Sequence, residues 1–477
     1  MNRVVIRRAE VDGRLVDVVW ADGTVVEVTS AGGANAGRGY EEFDAQGGAV
    51  VPGLHDHHLH LLALAATRGA VRAGPPEVRS PAELAEALTQ ACRLSTRGGW
   101  VRAVGYHESV AGYLDAAALD AMLVGGGPSL QSVPVRVQHR TGRMWMFNRS
   151  GISVAGIDRL DHPGVERFPD GTPTGRVFGA DDALRGRLKP EALDLAATAA
   201  MLATYGVTGV TDLTPMVAAA DAELIAAHAL DPAFPIRVVI TGGADLSPAA
   251  GEGLPRGPVK LLPSDREPID LDKVVGDFRS ARATGRPIAV HCVTRIGLVV
   301  ALAAFDEVGV RPGDRIEHGA VVPDDLIGGL SDRGLIVVTQ PNFVAERGDD
   351  YLADVETDDL PHLWRCRSLL EGGVAVAGST DAPFGDPDPW RAIAAATSRR
   401  AQSGASVGPA ERLDAASALA LFSGEWFRPP QERRVAAGSV TDLCVLRVSL
   451  QEALATPSSS HVAAVVGRAG LTLVRPH

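Results

Sequence analysis

Apolar and polar residues alternate in short runs at both ends of the chain, which is the pattern of half-buried strands. The dipeptides Asp12-Gly13 and Asp22-Gly23 separate the first three runs and are typical of hairpin turns. The predicted strands at the two ends are residues 4–6, 15–20, 24–28, 440–446 and 461–466. We expect the two ends to meet, so that residues 1–48 and 428–477 form one composite β-sandwich domain.

The middle of the chain alternates apolar, strand-like segments with helical stretches such as 190–204 and 272–283. The eight predicted strands are residues 49–51, 207–211, 236–240, 258–262, 287–291, 314–318, 335–339 and 374–378. Eight β/α units are what a TIM barrel requires. The pattern therefore predicts an α/β fold in which residues 49–64 and 186–427 form a distorted (β/α)8 TIM barrel.

Residues 65–185 do not fit this succession of units. They contain a helix-like run at 81–93 and two further strand candidates at 100–104 and 133–137. We interpret the region as an inserted α+β subdomain, which follows the first barrel strand and lies over the barrel mouth.

The net charge and the cysteine content limit the kinds of binding partner and the cellular compartment that we expect. The formal net charge of −12 argues against nucleic acid and anionic membranes, which both attract basic surfaces. No apolar run is long enough to cross a bilayer, and the first residues lack the apolar core of a secretory signal. The four cysteines form no CxxC pair, which suits a reducing compartment. We expect a cytoplasmic protein with a small-molecule substrate, and the sequence leaves a homodimer open.

Four histidines fall within six residues directly after the first predicted strand, at positions 55, 57, 58 and 60. Because side chains alternate along an extended segment, Asp56, His58 and His60 should point one way, and His55 and His57 the other. Two imidazoles spaced in this manner can converge on one metal ion. The alternative interpretation is a polar loop of surface histidines.

Three more candidate ligands, His291, His318 and Asp381, lie at the end of later predicted strands or shortly after it. TIM barrels place their active-site groups at this end of the strands. Each of the three could instead be an ordinary buried, hydrogen-bonded side chain, but their common position favours a shared site. Imidazoles with one carboxylate suit Zn²⁺, and also Mn²⁺, Fe²⁺ or Ni²⁺. The sequence thus predicts one or two divalent metal ions.

Lys260 bears on the number of metal ions. Only three of the 46 basic residues are lysines, and this one lies in an apolar strand, where an unpaired ammonium is costly. A neutral lysine that captures CO₂ becomes a carbamate, an anionic oxygen ligand able to bridge two cations. The alternative is that Lys260 extends to the strand end or pairs with Asp265 or Glu267.

The motif Pro52-Gly53-x-x-Asp56-x-His58-x-His60, with the later candidate ligands, resembles the amidohydrolase superfamily over nearly the whole chain. Stretches 174–177, 315–318 and 379–383 resemble its large-insertion branch, which includes N-substituted formamide deformylases. The resemblance implies that His58, His60 and Asp381 bind the more buried metal ion. It also implies that His291 and His318 bind a second ion, and that carboxylated Lys260 bridges the two.

Such a centre carries a net positive charge, which favours a bridging hydroxide at neutral pH. The hydroxide would attack a carbonyl carbon, while Asp381 acts as general base and then as general acid. The first hypothesis is therefore hydrolysis of a carbon–nitrogen bond in a non-peptide amide, formamide or cyclic amide. The alternatives are a mononuclear aminohydrolase that deaminates a heterocycle, and a non-catalytic barrel scaffold.

Substrate contacts are expected from the inserted region and from one barrel loop. Arg143 stands where members of the resembling branch usually carry a histidine, and an arginine there could bind a substrate carboxylate through two hydrogen bonds. It could equally be an ordinary surface arginine. His139, Tyr106 and Asn342 are further candidates for lining the substrate site.

Overall fold

The computed structural model describes residues 2–34, 39–95, 99–188, 193–214, 218–263, 269–429 and 431–475. Contacts divide the chain into two compact units. The first unit comprises Met1–Leu62 and Leu195–His477, and the second comprises Ala63–Asp194. The domain boundaries that the sequence suggested, after residues 48, 64, 185 and 427, stay predictions.

Strands occur along the whole chain. In chain order they are β1 (Arg3–Val11), β2 (Arg14–Ala21), β3 (Thr24–Ser30), β4 (Glu41–Asp44), β5 (Val50–Pro52), β6 (Leu54–Leu59), β7 (Val71–Arg72), β8 (Val101–Tyr106), β9 (Val135–His139), β10 (Met144–Phe147), β11 (Val165–Arg167), β12 (Pro173–Phe178), β13 (Val207–Asp212), β14 (Arg237–Ile240), β15 (Val259–Leu261), β16 (Ile288–Cys292), β17 (Arg315–His318), β18 (Ile336–Thr339), β19 (Ala375–Gly378), β20 (Leu443–Leu446), β21 (Val462–Gly467) and β22 (Gly470–Leu473).

The helices are mostly short. In chain order they are α1 (Leu61–Thr67), α2 (Pro81–Leu94), α3 (Glu108–Ala111), α4 (Ala116–Leu123), α5 (Pro128–Gln131), α6 (Arg149–Ala155), α7 (Asp181–Arg185), α8 (Leu195–Thr204), α9 (Ala219–Ala229), α10 (Leu271–Ala283), α11 (Arg295–Val308), α12 (Asp324–Asp332), α13 (Asn342–Asp354), α14 (Arg367–Glu371), α15 (Pro389–Ser398), α16 (Ala415–Ala420) and α17 (Leu450–Ala455). Within the described ranges, none of them has the length and apolar character that a bilayer-spanning helix needs.

Strands from the two ends of the chain form two four-stranded sheets in the first unit, with orders β3-β2-β1-β4 and β22-β21-β20-β5. Their apolar faces contribute to one hydrophobic cluster, which includes Val18, Trp20, Leu443 and Val466. The Trp20 indole also donates a hydrogen bond to the carbonyl oxygen of Thr441, at 2.8 Å. The two ends of the chain therefore share one core.

The rest of the first unit is a mixed α/β region in which eight strands, β6 and β13 to β19, run parallel to their neighbours. They form two sheets, with orders β14-β13-β6 and β15-β16-β17-β18-β19, rather than one closed ladder. Backbone hydrogen bonds of 3.0 Å from Lys260 to Gly242 and of 2.9 Å from Asp381 to His58 lie where the two sheets adjoin. All predicted strands of this region except the first are confirmed.

The sequence pattern assigns residues 49–51 to the first strand of the barrel, and this assignment is wrong. Val50–Pro52 form β5, which pairs antiparallel with β20 in the C-terminal sheet. The first parallel strand is instead β6, which pairs with β13 and contains most of the histidine motif. Apolar character could not separate the two interpretations, because Val50 and Val51 are buried in the sheet that they actually join.

The second unit contains a six-stranded sheet of order β11-β12-β10-β9-β8-β7. The helix and the two strands predicted between residues 81 and 137 are confirmed as α2, β8 and β9. Helix α2 begins after Ser80, whose side chain accepts a hydrogen bond from the backbone N–H of Glu83, and Pro81 occupies the first turn. The location of this unit over a barrel mouth stays a prediction.

Candidate metal centre

Three predicted ligands, His58, His60 and Asp381, converge at one point of the first unit. His58 lies in β6, His60 directly follows that strand, and Asp381 follows β19. The Oδ1 atom of Asp381 is 3.4 Å from Nε2 of His58 and 3.2 Å from Nε2 of His60. One nitrogen or oxygen atom from each residue lies within 4.8 Å of the others, so the three could hold a common metal ion.

The protonation of His58 provides a test of whether the cluster fits a cation. Its Nδ1 lies 2.5 Å from Oε2 of Glu317, and an ionised carboxylate can only accept a hydrogen bond, so Nδ1 carries the proton. A neutral imidazole then presents a lone pair at Nε2 toward the negatively charged Oδ1 of Asp381. Such an arrangement is unfavourable unless a cation lies between the two atoms. The donor set therefore fits a divalent metal ion.

His318 and His291 extend the cluster. The ring centroid of His318 lies 4.8 Å from that of His58 and 4.5 Å from that of His291. Nδ1 of His318 lies 2.8 Å from the amide oxygen of Gln340, whose Nε2 donates to Ser379. This orientation leaves the other ring nitrogen of His318 for a ligand.

Lys260 is buried in β15, and within the described residues its Nζ has no hydrogen-bond partner. Burial lowers the pKa of this ammonium, although the charges of Glu317 and Asp381 partly oppose that effect. A lowered pKa favours the neutral amine that carbamate formation requires. The alternative partners from the sequence, Asp265 and Glu267, lie outside the described residues.

Burial also controls the charges of the clustered ligands. It holds the pKa of both His58 and His318 well below the usual range of an imidazole. Burial alone would raise the pKa of Asp381, but the imidazoles of His60, His58 and His318 more than compensate and lower it. At neutral pH His58 and His318 therefore offer neutral imidazoles and Asp381 an ionised carboxylate, the forms that bind metal ions.

Two of the clustered residues have unusual backbone conformations. The φ angle is 71° at His318 and 56° at Asp381, in the left-handed region that residues with a Cβ seldom adopt. Each such conformation costs about 1–3 kcal/mol and persists where the surrounding structure enforces it, often at functional sites.

His55 and His57 lie outside the cluster, as the alternation along the strand predicts. Nε2 of His55 is 2.8 Å from the hydroxyl of Thr211, and the rings of His55 and His57 are 4.5 Å apart. These two histidines are buried in the first unit and take no part in the group around Asp381.

The predicted substrate contacts have different surroundings. In the second unit, Tyr106 is buried in the hydrophobic core and donates a 2.6 Å hydrogen bond to the carbonyl oxygen of Gly112, and its contact with substrate stays a prediction. His139 lies 2.9 Å from Glu108, and Arg143 is half-buried. In the first unit, the Asn342 side chain donates a 3.1 Å hydrogen bond to the carbonyl oxygen of Thr380.

Sequence reasoning missed the residues that orient the candidate ligands. Glu317 and Gln340 contact His58 and His318, and Nδ1 of His60 lies 3.4 Å from the Thr214 hydroxyl. One signal was present, because Glu317 is an acidic residue in an apolar strand directly before a candidate ligand. Which imidazole it would contact could not be read from the chain.

The fold of this chain is shared with a solved structure. An uncharacterised metal-dependent hydrolase from Pyrococcus horikoshii OT3 superposes with a TM-score of 0.67, at 18% identity, over 93% of this chain and 96% of its own. The chain belongs to the amidohydrolase family, whose family model matches residues 41–467. The resemblance inferred from the motifs is thereby confirmed.

Two relatives match most of the chain. One, from Bacillus subtilis (strain 168), is named as an amidohydrolase, YtcJ. It is 24% identical over an alignment of 463 positions, which covers 85% of this chain and 85% of the relative. The other is the N-substituted formamide deformylase of Arthrobacter pascens. It is 24% identical over an alignment of 487 positions, which covers 89% of this chain and 87% of the relative.

Proposed function

We propose that the protein hydrolyses a carbon–nitrogen bond in a non-peptide amide, formamide or cyclic amide. The observation that carries the proposal is the convergence of His58, His60 and Asp381 after two strands far apart in the sequence. We infer that the eight parallel strands are those of a distorted (β/α)8 barrel, which presents its functional groups at this end. The similarity to a formamide deformylase supports the choice of bond.

The ligands would be His58, His60 and Asp381 for one metal ion, with His291, His318 and carboxylated Lys260 completing a site for two. Zn²⁺ suits this set of nitrogen and oxygen donors, and Mn²⁺, Fe²⁺ or Ni²⁺ are the alternatives. When bound, a divalent ion lowers the pKa of water and polarises the substrate carbonyl. Glu317, Gln340 and Thr214 would orient these ligands and would not take part in the reaction themselves.

Asp381 is the residue that moves the proton. Its lowered pKa keeps the carboxylate ionised at neutral pH, so that it can accept a proton. Oδ1 faces the two imidazoles, and we assign proton transfer to the other oxygen, Oδ2. It takes a proton from the attacking water and delivers it to the leaving nitrogen, because an amine leaves far more readily than an amide anion.

The test is a screen of the metal-replete protein against N-formyl, N-acyl and cyclic amides, with dipeptides and amino-substituted heterocycles in parallel. We expect release of a free amine from at least one non-peptide amide. Asp381→Asn, in which the side chain keeps an oxygen ligand but loses its basicity, should bind metal and lose about 100-fold or more of the turnover. Hydrolysis of dipeptides alone, or release of ammonia from heterocycles alone, would contradict the proposed bond specificity.

A further inference from the structure

We propose that Glu317 is a positioning residue for the metal centre, which holds the proton of His58 on Nδ1 and turns Nε2 toward the metal ion. Glu317 is fully buried at the end of β17, and its Oε2 lies 2.5 Å from Nδ1 of His58. The inference rests on the proposed metal centre, but it does not depend on the substrate.

Arg315 is the charge partner of Glu317. Nε of Arg315 lies 2.5 Å from Oε1 of Glu317, and both side chains are buried, so the arginine charge acts with little screening. Nη2 of the same arginine donates a 3.3 Å hydrogen bond to the carbonyl oxygen of His57, the neighbour of His58. Arg315 thus attaches the carboxylate to the backbone of the histidine motif as well as neutralising it.

Two of the other imidazoles, those of His60 and His318, have neutral partners at Nδ1. Nδ1 of His60 lies 3.4 Å from the hydroxyl of Thr214, and Nδ1 of His318 lies 2.8 Å from the amide oxygen of Gln340. A carboxylate acceptor at Nδ1 increases the basicity of Nε2, which strengthens its bond to a metal ion. Among these three imidazoles, His58 should therefore gain most from its partner.

A buried ion pair of glutamate and arginine could also serve stability alone, and the chain offers a matched control for that explanation. Asp314 directly precedes β17, is fully buried and accepts a 2.7 Å hydrogen bond from Arg282. Its carboxylate accepts hydrogen bonds from Arg282, Ile288 and Arg311, and none of these three is a candidate metal ligand. Removing either carboxylate leaves a buried arginine without its charge partner, but only the change at Glu317 alters the partner of His58.

The experiment compares Glu317→Gln with Asp314→Asn in the full chain. Zn²⁺ affinity is measured by competition with a chelator, and the Co²⁺-loaded proteins are compared by their absorption spectra. We expect Glu317→Gln to weaken metal binding by about 10- to 100-fold and to change the Co²⁺ spectrum. Asp314→Asn should lower the unfolding temperature while affinity and spectrum stay as in the wild type.

A double variant, R315M/E317Q, guards against misfolding, because it leaves no buried arginine without its charge partner. It should show the same loss of affinity as Glu317→Gln. Wild-type affinity in both Glu317 variants would overturn the inference, as would an equal loss in Asp314→Asn. A wild-type protein that binds metal but cleaves no amide would overturn the proposed function and leave this inference standing, if the affinities differ as expected.

Discussion

The hydroxyl of Thr380 donates a 2.5 Å hydrogen bond to Oδ2 of Asp56, and the backbone N–H of Thr380 donates to Oδ1 at 3.2 Å. Oδ1 also accepts a hydrogen bond from the backbone N–H of His58, at 3.1 Å. Asp56 therefore joins the histidine strand to the residue before Asp381, although it is not part of the metal cluster. It sets the spacing between His58 and Asp381, whose side chains must meet.

Thr380→Val tests this connection, because valine has the shape of threonine without its hydroxyl. Loss of the donor leaves a buried carboxylate under-satisfied, which should lower the free energy of unfolding by about 1–3 kcal/mol. Metal affinity should also fall, since Asp381 is less firmly held. Thr380→Ser retains the hydroxyl and serves as the control in urea unfolding and chelator competition. Equal behaviour of the two variants would argue against the connection.

Changes at Lys260 should alter the metal content. If the carboxylated lysine bridges two ions, the wild type should hold two ions per chain when bicarbonate is supplied. Lys260→Met should then hold one, because methionine cannot form the carbamate. Metal is counted by mass spectrometry, with the exposed Lys273 changed to Met as the control. A wild type that saturates with one ion would instead favour the mononuclear alternative.

Arg143→Ala addresses substrate recognition. If the guanidinium binds a substrate carboxylate, its loss should raise KM for acidic substrates by about tenfold or more, since a hydrogen bond between charged groups is worth about 1.5–3 kcal/mol. The control is a neutral amide isostere of the same substrate, whose KM should not change. Equal effects on both substrates, or none on either, would show that Arg143 does not read the carboxylate.

The buried carboxyl of Asp388 should make the stability of the protein depend on pH, and this effect does not involve the metal centre. Burial raises the pKa of this carboxyl to about 6. Hydrogen bonds from Ser459 and from the backbone N–H of Trp390 lower the pKa in part, while the charges of Asp386 and Arg391 act in opposite directions. The folded state therefore binds the proton more tightly than the unfolded chain does. Its contribution to stability is complete below about pH 4 and is lost as the pH rises through about 6.

Urea unfolding between pH 4 and pH 7 measures this effect. The wild type should lose up to about 3 kcal/mol relative to Asp388→Asn over the range. Asp414 also caps a helix, but it is exposed and its pKa is lowered by hydrogen bonds from the backbone and side chain of Ser417. Asp414→Asn should therefore keep a constant difference from the wild type between pH 7 and pH 5, and gain relative stability only as the pH falls toward 4. If the difference in free energy of unfolding between the wild type and Asp388→Asn did not change with pH, the raised pKa of Asp388 would be contradicted.

Much of this protein was predictable because its sequence patterns are local. Apolar runs predicted the parallel strands after the first, and alternation along one strand separated His58 and His60 from His55 and His57. The histidine and aspartate residues at the strand ends predicted a metal site, since these residue types bind metal ions where they converge. These properties are determined within a few residues along the chain.

The tertiary structure alone decided which sheet each strand joins and which distant side chains meet. Val50–Pro52 are as apolar as a barrel strand, yet they pair with β20 in the C-terminal sheet. The contact between Glu317 and His58 spans 259 positions and depends on the order and register of several strands. Local patterns carry no information on that register, because the same alternation of side chains is compatible with many pairings of strands.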